Sequence, residues 1–356
     1  MAVNYAQELQ RLIDYVVEHN ASDLHFSVGH HPVVRITGEL APVTDRPQLV
    51  AEDVLGFAEV LLSEYRKINL RENLEADFSY QSPDGHRFRG HIFYQKSEPG
   101  IVLRHIPNEI KTIDELHLPP ILYSFAQKQQ GFFLCVGPVG QGKSTTLAAM
   151  IDYINENRTE HIVTIEDPIE YVYTPKKSMI DQREVGIDTN SFESGLHATF
   201  RQDVNVILVG EMRSRETIAT AVTAAETGHL VLSTLHTNNA AQSINRIIDA
   251  MPSEAQDQVR TQLAGSLAGI FSQRLIPRVD GTGRVPAYEL MVNNNAIANL
   301  IREDRIHEIN SVIETGLEQG MIDMNRSLVD LVKKGLISVE DAFSHSLNPR
   351  SLERLI

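Results

Sequence analysis

Cysteine is nearly absent from this chain of 356 residues, and Cys135 is its single example. One cysteine excludes both an internal disulfide and a four-cysteine zinc site. Because Cys135 lies inside a short apolar run, we expect a buried and unreactive side chain.

Long apolar stretches are also missing. No segment approaches 18 uninterrupted apolar residues, and the first residues lack the basic and apolar regions of a signal peptide. We therefore expect a cytoplasmic protein that reaches a membrane only through a partner.

Basic residues are fewer than acidic ones, with 32 Lys and Arg against 47 Asp and Glu, which gives a net charge of −15. A nucleic-acid-binding protein usually presents a basic surface, so this balance argues against nucleic acid as a partner. Hydrophobic content of 42% and charged content of 22% are typical of a globular protein, and the length suffices for two domains.

The strongest positive signal is the segment 137–144, which matches the phosphate-binding pattern G-x-x-x-x-G-K-[ST]. An apolar run over 132–136 precedes it and a helical pattern over 145–154 follows, as such a loop requires. Glycines let backbone N–H groups surround a phosphate, while lysine supplies charge and a serine hydroxyl can hold Mg²⁺. The predicted nucleotide-binding residues are Gly137, Pro138, Val139, Gly140, Gln141, Gly142, Lys143, Ser144 and Thr145.

An acidic segment, 164–170, begins at the end of a predicted strand over 161–165. Ligands bind at the carboxyl ends of strands in open α/β sheets, so Glu166, Asp167 and Glu170 are candidates to activate water or to hold Mg²⁺. The alternative is a solvated acidic turn. Spacing alone does not choose Glu170 over Glu166 as the base.

Glu211 follows the apolar run 206–209, in the manner of a Walker B acid at the tip of a buried strand. The alternative is an ordinary acid between strand and loop. His229 and His236 flank another predicted strand, too far apart to share one metal ion. His236 is the candidate to sense the γ-phosphate, and a structural role is the alternative for His229.

An ATPase also needs positive charge next to the transferring phosphoryl group. The candidates are Arg87, Arg89 and Arg104, which lie on predicted strands of the N-terminal region. An arginine supplied by a neighbouring subunit is worth about 10³–10⁵ in rate in such enzymes. Such a role would require an oligomeric ring, and simple surface solvation is the alternative.

Hydrophobic periodicity predicts a small α+β domain over residues 1–107, a proline-rich linker over 108–120 and an α/β nucleotide-binding domain over 121–356. The second domain alternates strands and helices, which favours a mostly parallel sheet. Its strands are predicted over 131–136, 161–165, 205–209 and 230–235, and its helices over 143–157, 191–201, 214–226 and 239–249. From about residue 255 the chain is predicted to be helical, including a helix over 255–275.

These motifs together resemble the secretion ATPase superfamily, and most closely its type IV pilus retraction branch. The resemblance covers nearly the whole chain. It rests on the segments 21–25, 137–145, 164–170, 182–186, 210–213, 227–230 and 233–237.

The resemblance implies a PAS-like N-terminal domain and a RecA-like ATPase domain, assembled as a homo-hexamer that hydrolyses ATP with Mg²⁺. It implies that Glu170 is the general base and Glu211 the Walker B acid, with His229 and His236 as the paired histidines. It also implies that Arg89 and Arg104 act on a neighbouring subunit's nucleotide. The residues themselves, apart from the resemblance, make Ser144, Glu211 and Glu166 the predicted metal-site residues, and the choice between Glu166 and Asp167 stays open. Hydrolysis would drive an inner-membrane platform protein at the pilus base, retract pilin and support twitching motility.

Two positions depart from the family pattern. Ala298 stands where the retraction motif has arginine, and Ser214 stands where the Walker B string usually continues with Asp. An accessory retraction paralogue is therefore one alternative. Assembly and type II secretion ATPases resemble longer chains with a four-cysteine zinc motif. Another alternative is a scaffold protein that binds nucleotide without hydrolysing it, and the presence of Glu170 and Glu211 argues against it. The excess of acidic residues argues against a motor that acts on nucleic acid.

Overall fold

The computed structural model describes residues 4–36, 38–106 and 109–356, and these divide between two compact units. The first unit comprises Met1–Glu109 together with Pro168–Val172, and the second comprises Ile110–Asp167 and Tyr173–Ile356. The boundary predicted at residue 107 and the start of the linker at 108 lie outside the described residues. Within those residues, no helix is long and apolar enough to cross a membrane.

The first unit combines three helices with a six-stranded antiparallel sheet of order β3-β2-β1-β6-β5-β4. Its elements are α1 (Tyr5–Glu18), β1 (Asp23–Ser27), β2 (Val33–Ile36), β3 (Glu39–Pro42), α2 (Ala51–Leu61), α3 (Glu64–Asn73), β4 (Glu75–Gln81), β5 (Arg87–Gln95) and β6 (Glu98–Ile106). Ser63 separates α2 from α3, because its hydroxyl accepts a hydrogen bond from the backbone N–H of Arg66 and caps a new helix.

One face of this sheet forms a core with the helices. The apolar residues of α1 recur at helical spacing and are buried with Leu24 of β1 and Leu103 of β6. Because side chains alternate along a strand, the residues next to these point to the other face. Asp23, Arg104 and Arg89 are in register on that face, across β1, β6 and β5.

The second unit is built on a seven-stranded sheet of order β13-β12-β7-β11-β10-β8-β9. Its strands are β7 (Gly131–Val136), β8 (His161–Glu166), β9 (Met179–Glu184), β10 (Val206–Val209), β11 (Leu230–Leu235), β12 (Leu267–Pro277) and β13 (Arg284–Val292). Its helices are α4 (Ile121–Ala126), α5 (Lys143–Asn157), α6 (Phe192–Thr199), α7 (Arg215–Glu226), α8 (Ala240–Asp249), α9 (Ser253–Ser266), α10 (Asn295–Arg302), α11 (Ile309–Thr315), α12 (Met324–Lys333), α13 (Val339–His345) and α14 (Pro349–Glu353).

The predicted α/β core with a mostly parallel sheet and a helical C-terminal portion is confirmed. All neighbouring strand pairs from β12 to β9 are parallel, and only β12 and β13 are antiparallel. Strands β7, β10 and β11 are buried along their whole length, which explains their continuous apolar runs. Cys135 in β7 is fully buried, and burial raises the pKa of its thiol to about 12.

The single helix predicted over 255–275 is wrong. Helix α9 ends at Ser266, and the chain continues as the long strand β12, which pairs with β7 and with β13. An apolar run of this length fits either a helix or a buried strand. Here the pairing with β7 and β13 selects the strand. A Cβ at Gly269 would lie 2.8 Å from the carbonyl oxygen of Met291, so the two strands approach where glycine stands.

Candidate functional site

The phosphate-binding segment connects β7 to α5, as the sequence predicts. Gly137, Gly140 and Gly142 have φ values of 147°, 76° and 79°, a left-handed backbone region that favours glycine. Lys143 is the first residue of α5 and is 7% exposed. Its Nζ donates to the carbonyl oxygens of Gly137 at 2.8 Å and Pro138 at 2.9 Å. The loop thus folds around its own lysine at the N-terminus of a 15-residue helix.

Strand β12 supports this loop from the side, and the sequence did not predict it. Thr146 Oγ1 donates to Gln273 Oε1 at 2.6 Å, and the backbone N–H of Leu275 donates to Gln141 Oε1 at 2.6 Å. Gln273 is buried, so its side-chain amide needs a protein partner, and its Oε1 accepts from Thr146. A polar pair within an apolar strand, Gln273 and Arg274, was the signal available in the sequence.

We predict that Gly137→Ala damages both the fold and the site. A Cβ at this position would lie 2.5 Å from the carbonyl oxygen of Gln273, and the backbone is left-handed. The strain should cost about 2 kcal/mol or more of unfolding free energy, and displacement of the loop should lower ATP hydrolysis roughly 100-fold. Thermal unfolding and a hydrolysis assay of the purified variant measure the two effects.

Gly265→Ala is the matched control for that substitution. Gly265 lies in α9, and an added Cβ would meet no atom within 4 Å. Because alanine is the better helix former, the control should leave hydrolysis unchanged and add up to about 1 kcal/mol of stability. Wild-type hydrolysis in Gly137→Ala would show that β12 does not constrain the loop.

Glu211 and His236 meet at the carboxyl edge of the same sheet. Glu211 follows β10 after one glycine, and His236 is the first residue beyond β11. Glu211 Oε1 lies 3.4 Å from His236 Nε2 and 2.8 Å from Arg213 Nε. Thr234 Oγ1 donates to the carbonyl oxygen of Gly210 at 2.7 Å and so ties the two strand ends together.

His236 also lies against the lysine of the phosphate-binding loop, with 3.4 Å between its Nδ1 and Lys143 Nζ. Burial is the main cause that lowers the pKa of His236, and the charge of Lys143 adds to it, against the opposing effect of Glu211. The imidazole is therefore neutral at pH 7. The structure brings together three of the predicted site residues, Lys143, Glu211 and His236.

The loop that carries His236 is fixed from β12 and β13. Ser272 Oγ donates to the carbonyl oxygen of Asn238 at 2.8 Å. Glu289 Oε1 accepts from the backbone N–H of Ala240, the first residue of α8, at 2.8 Å. Burial raises the pKa of Glu289 to about 7. Glu289 was not predicted as a site residue, because its strand β13 was not predicted from the sequence.

His229 lies at the other end of β11, directly before its first residue. Its Nδ1 is 2.9 Å from the carbonyl oxygen of Ala224, and its ring packs edge-on against Phe200. Six strand residues separate His229 from His236, about 20 Å of extended chain. The structure does not bring the two histidines together.

Glu166 ends β8 and is largely buried, at 7% exposure. Its Oε1 accepts from Thr164 Oγ1 at 2.7 Å and from Gln182 Nε2 at 3.4 Å. Gln182 belongs to β9, a strand that was not predicted from the sequence. The side chain of Glu166 is therefore fixed at the carboxyl end of β8 by these two hydrogen bonds.

Glu170 belongs to the first unit, within the segment Pro168–Val172. Its Oε1 lies 3.3 Å from Arg89 Nη1, and Arg87 Nη2 donates to the carbonyl oxygen of Ile169 at 3.2 Å. Arg104 is the cross-strand partner of Arg89, and its Nε donates to Asp23 Oδ1 at 2.9 Å. The predicted base and the two predicted arginines thus occur in one unit.

The family described as type II/IV secretion system protein matches residues 5–343. The chain is 43% identical over 335 residues to the type IV pilus retractation ATPase PilT of Pseudomonas aeruginosa, covering 94% of this chain and 97% of that protein. It is 42% identical over 352 residues to the type IV pilus ATPase PilU of the same organism, covering 98% and 91%.

Among solved structures, the crystal structure of the pilus retraction motor PilT with bound ADP is similar to this chain. The TM-score is 0.90 and the sequence identity is 46%, over 97% of this chain and 98% of that one.

Proposed function

The chain belongs to the type II/IV secretion system protein family, and we propose from its site that it hydrolyses Mg-ATP to retract type IV pili and so supports twitching motility. The chain is an ATP hydrolase and a pilus retraction ATPase by its relationship to PilT. The observation that supports the chemistry best is the meeting of Lys143, Glu211 and His236 at one sheet edge.

The loop 137–144 is suited to hold the triphosphate. Three left-handed glycines keep Cβ atoms out of its inner surface, and the N-terminus of α5 directs backbone N–H groups and a positive dipole end toward the loop. The carbonyl oxygens that now accept from Lys143 keep its ammonium inside the loop. From there its charge would stabilise the β- and γ-phosphates.

Glu211 and His236 would act at the γ-phosphate. Glu211 is an acid held by Arg213 and close to His236, so its carboxylate has a fixed orientation. His236, neutral at pH 7, can donate a hydrogen bond from its ring N–H to a phosphate oxygen or to water while it stays uncharged. Glu170 is proposed as the general base, and in this structure its carboxylate is held by Arg89.

Magnesium is proposed to bind at Ser144. In phosphate-loop enzymes this ion is held by the loop hydroxyl, by water and by the nucleotide, rather than by a cage of protein ligands. In the described part of the chain, no three His, Cys, Asp or Glu side chains form a metal-holding group. Glu211 would complete the site through water. Glu166 is a weaker candidate, because Thr164 and Gln182 already engage its carboxylate.

A homo-hexamer at the base of the pilus, next to an inner-membrane platform protein, is the proposed setting of this chemistry. A ring of identical subunits uses a head-to-tail interface, which allows one subunit to complete its neighbour's site. Arg89 and Arg104 are the proposed donors of positive charge in trans. Hydrolysis would then change the arrangement of subunits and act on the platform.

The second candidate is an accessory retraction ATPase, which the similarity to PilU favours. Ala298 is the departure that raises this alternative, and it lies in α10 at a buried position within the hydrophobic core. Arg302, at the end of the same helix, is exposed, and its Nη1 donates to Asn299 Oδ1 at 2.9 Å. The nucleotide site is the same in both candidates, so the difference must be tested in cells.

Deleting the gene is expected to leave cells with more surface pili and without twitching, because assembly continues while retraction stops. Electron microscopy of pili and a surface-motility assay measure this. Complementation with the wild-type gene should restore both properties, and complementation with Lys143→Ala should restore neither. A deletion strain without pili would instead indicate an assembly ATPase. Retraction that requires a second family member in addition would identify the accessory role.

A further inference from the structure

Asp23 is a buried carboxylate on the polar face of the first unit's sheet. Its side chain is 6% exposed, and Arg104 Nε donates to its Oδ1 at 2.9 Å. Ser22 Oγ donates to its Oδ2 at 2.7 Å, and Arg35 Nε lies 3.8 Å from the same oxygen. Buried carboxylates need such partners, and here two of the three are arginines from the strands on either side.

The strand register explains why the carboxylate stands there. Arg35, Asp23, Arg104 and Arg89 are successive cross-strand partners in β2, β1, β6 and β5. Directly opposed like charges destabilise a sheet, and Arg104 faces Arg89 on one side. Asp23 faces Arg104 on the other side and supplies the compensating negative charge.

The contact with Asp23 is made by Nε of Arg104, so the two outer nitrogens of the guanidinium can still donate to a ligand. A guanidinium offers five N–H donors in a planar fork, and the contact with Asp23 uses the one nearest the backbone. The side chain of Arg104 is 68% exposed, although the carboxylate that holds it is buried. A guanidinium that is fixed at Nε and exposed at its outer nitrogens is pre-oriented toward an anion.

We propose that Asp23 is a positioning residue for Arg104, which holds the guanidinium in the direction that a neighbouring subunit's phosphates require. The proposal rests on the proposed function, in which Arg104 acts on that nucleotide. It assigns a role to the acid of the segment 21–25, one of the segments that carry the family resemblance. Asp23 itself touches neither nucleotide nor water in the reaction.

The test compares Asp23→Asn, Arg104→Ala and the double variant in the full-length chain, with Mg-ATP hydrolysis as the readout. We expect Asp23→Asn to lower kcat about tenfold with KM for ATP nearly unchanged, because positioning acts on the transition state. The double variant should be no slower than Arg104→Ala alone, since Asp23 acts only through that arginine. A purely structural role would instead make the two losses multiply.

Arg35→Ala is the matched control, because Arg35 approaches the same carboxylate from β2. It should keep kcat within about twofold. Asp23→Glu retains the charge, so it should recover part of the rate that Asp23→Asn loses and serves as the variant to compare if the latter unfolds.

Two outcomes would overturn the proposal in distinguishable ways. A full rate in Asp23→Asn, or multiplied losses in the double variant, with Arg104→Ala impaired, would remove the role of Asp23 and leave that of Arg104 intact. A full rate in Arg104→Ala would remove both roles together. Thermal unfolding of each variant separates a loss of kcat from a loss of folded protein.

Discussion

Lys143→Ala is expected to lower the rate of ATP hydrolysis by roughly 10³-fold, because the substitution removes the charge that stabilises the transferring phosphoryl group. The lysine is the best-placed cation of the described site. Its ammonium lies among the loop carbonyls and 3.4 Å from His236, which in turn contacts Glu211. The measurement is steady-state phosphate release by the purified protein with Mg-ATP.

The alanine variant also removes a buried donor, so a second substitution is needed to separate chemistry from folding. Lys143 donates to the carbonyl oxygens of Gly137 and Pro138, which alanine would leave without this partner. Lys143→Gln keeps a donor but not the charge, and it should retain the fold while losing hydrolysis to a similar extent. Lys334→Ala, at an exposed position after α12, should change neither property. Rates within about threefold of wild type in both Lys143 variants would contradict the assigned site.

The predictions that succeeded concern segments in which local signals agree. The strand–loop–helix unit around Lys143 has a continuous apolar strand, glycines at left-handed positions and a helix, and its bounds match the structure within a residue. The same holds for the strands that lead to Glu211 and His236. Parallel strands end at a common edge, which is why separate motifs converge.

The predictions that failed concern segments whose structure is set by distant partners. Strand β12 has an apolar run that fits a helix equally well, and only its pairing with β7 and β13 decides the outcome. The contacts of Gln273 with Thr146 and of Glu289 with the start of α8 join residues far apart in sequence. Such contacts have no local pattern, so composition and spacing could not predict them.

The placement of Glu170 illustrates a further limit. Spacing could not choose between Glu166 and Glu170, and the structure distinguishes their surroundings. Glu166 is buried and bonded by a threonine of its own strand, whereas Glu170 lies beside Arg89 in the first unit. Its assignment as the general base stays a prediction, which hydrolysis by the Glu170→Gln variant tests.

Arg104→Ala and Glu170→Gln are each expected to lower hydrolysis by about 10³-fold when every subunit carries the change. The first removes an exposed guanidinium whose Nε contacts Asp23, and the second removes the proposed general base while keeping the shape of its side chain. Mixing the two inactive proteins tests whether Arg104 acts across the subunit interface. Each variant retains the residue that the other lacks.

If Arg104 acts in trans, activity should return in the mixture. In a head-to-tail ring assembled at random from equal amounts, about one quarter of the interfaces would join an intact Glu170 to a neighbour's intact Arg104. The control mixes Arg104→Ala with a protein that carries both substitutions, in which no subunit supplies Arg104, and it should stay inactive. If the arginine acts within its own chain, no subunit of the first mixture has a complete set and no activity returns. The recovered rate therefore decides whether the ATP site of this protein belongs to one subunit or to two.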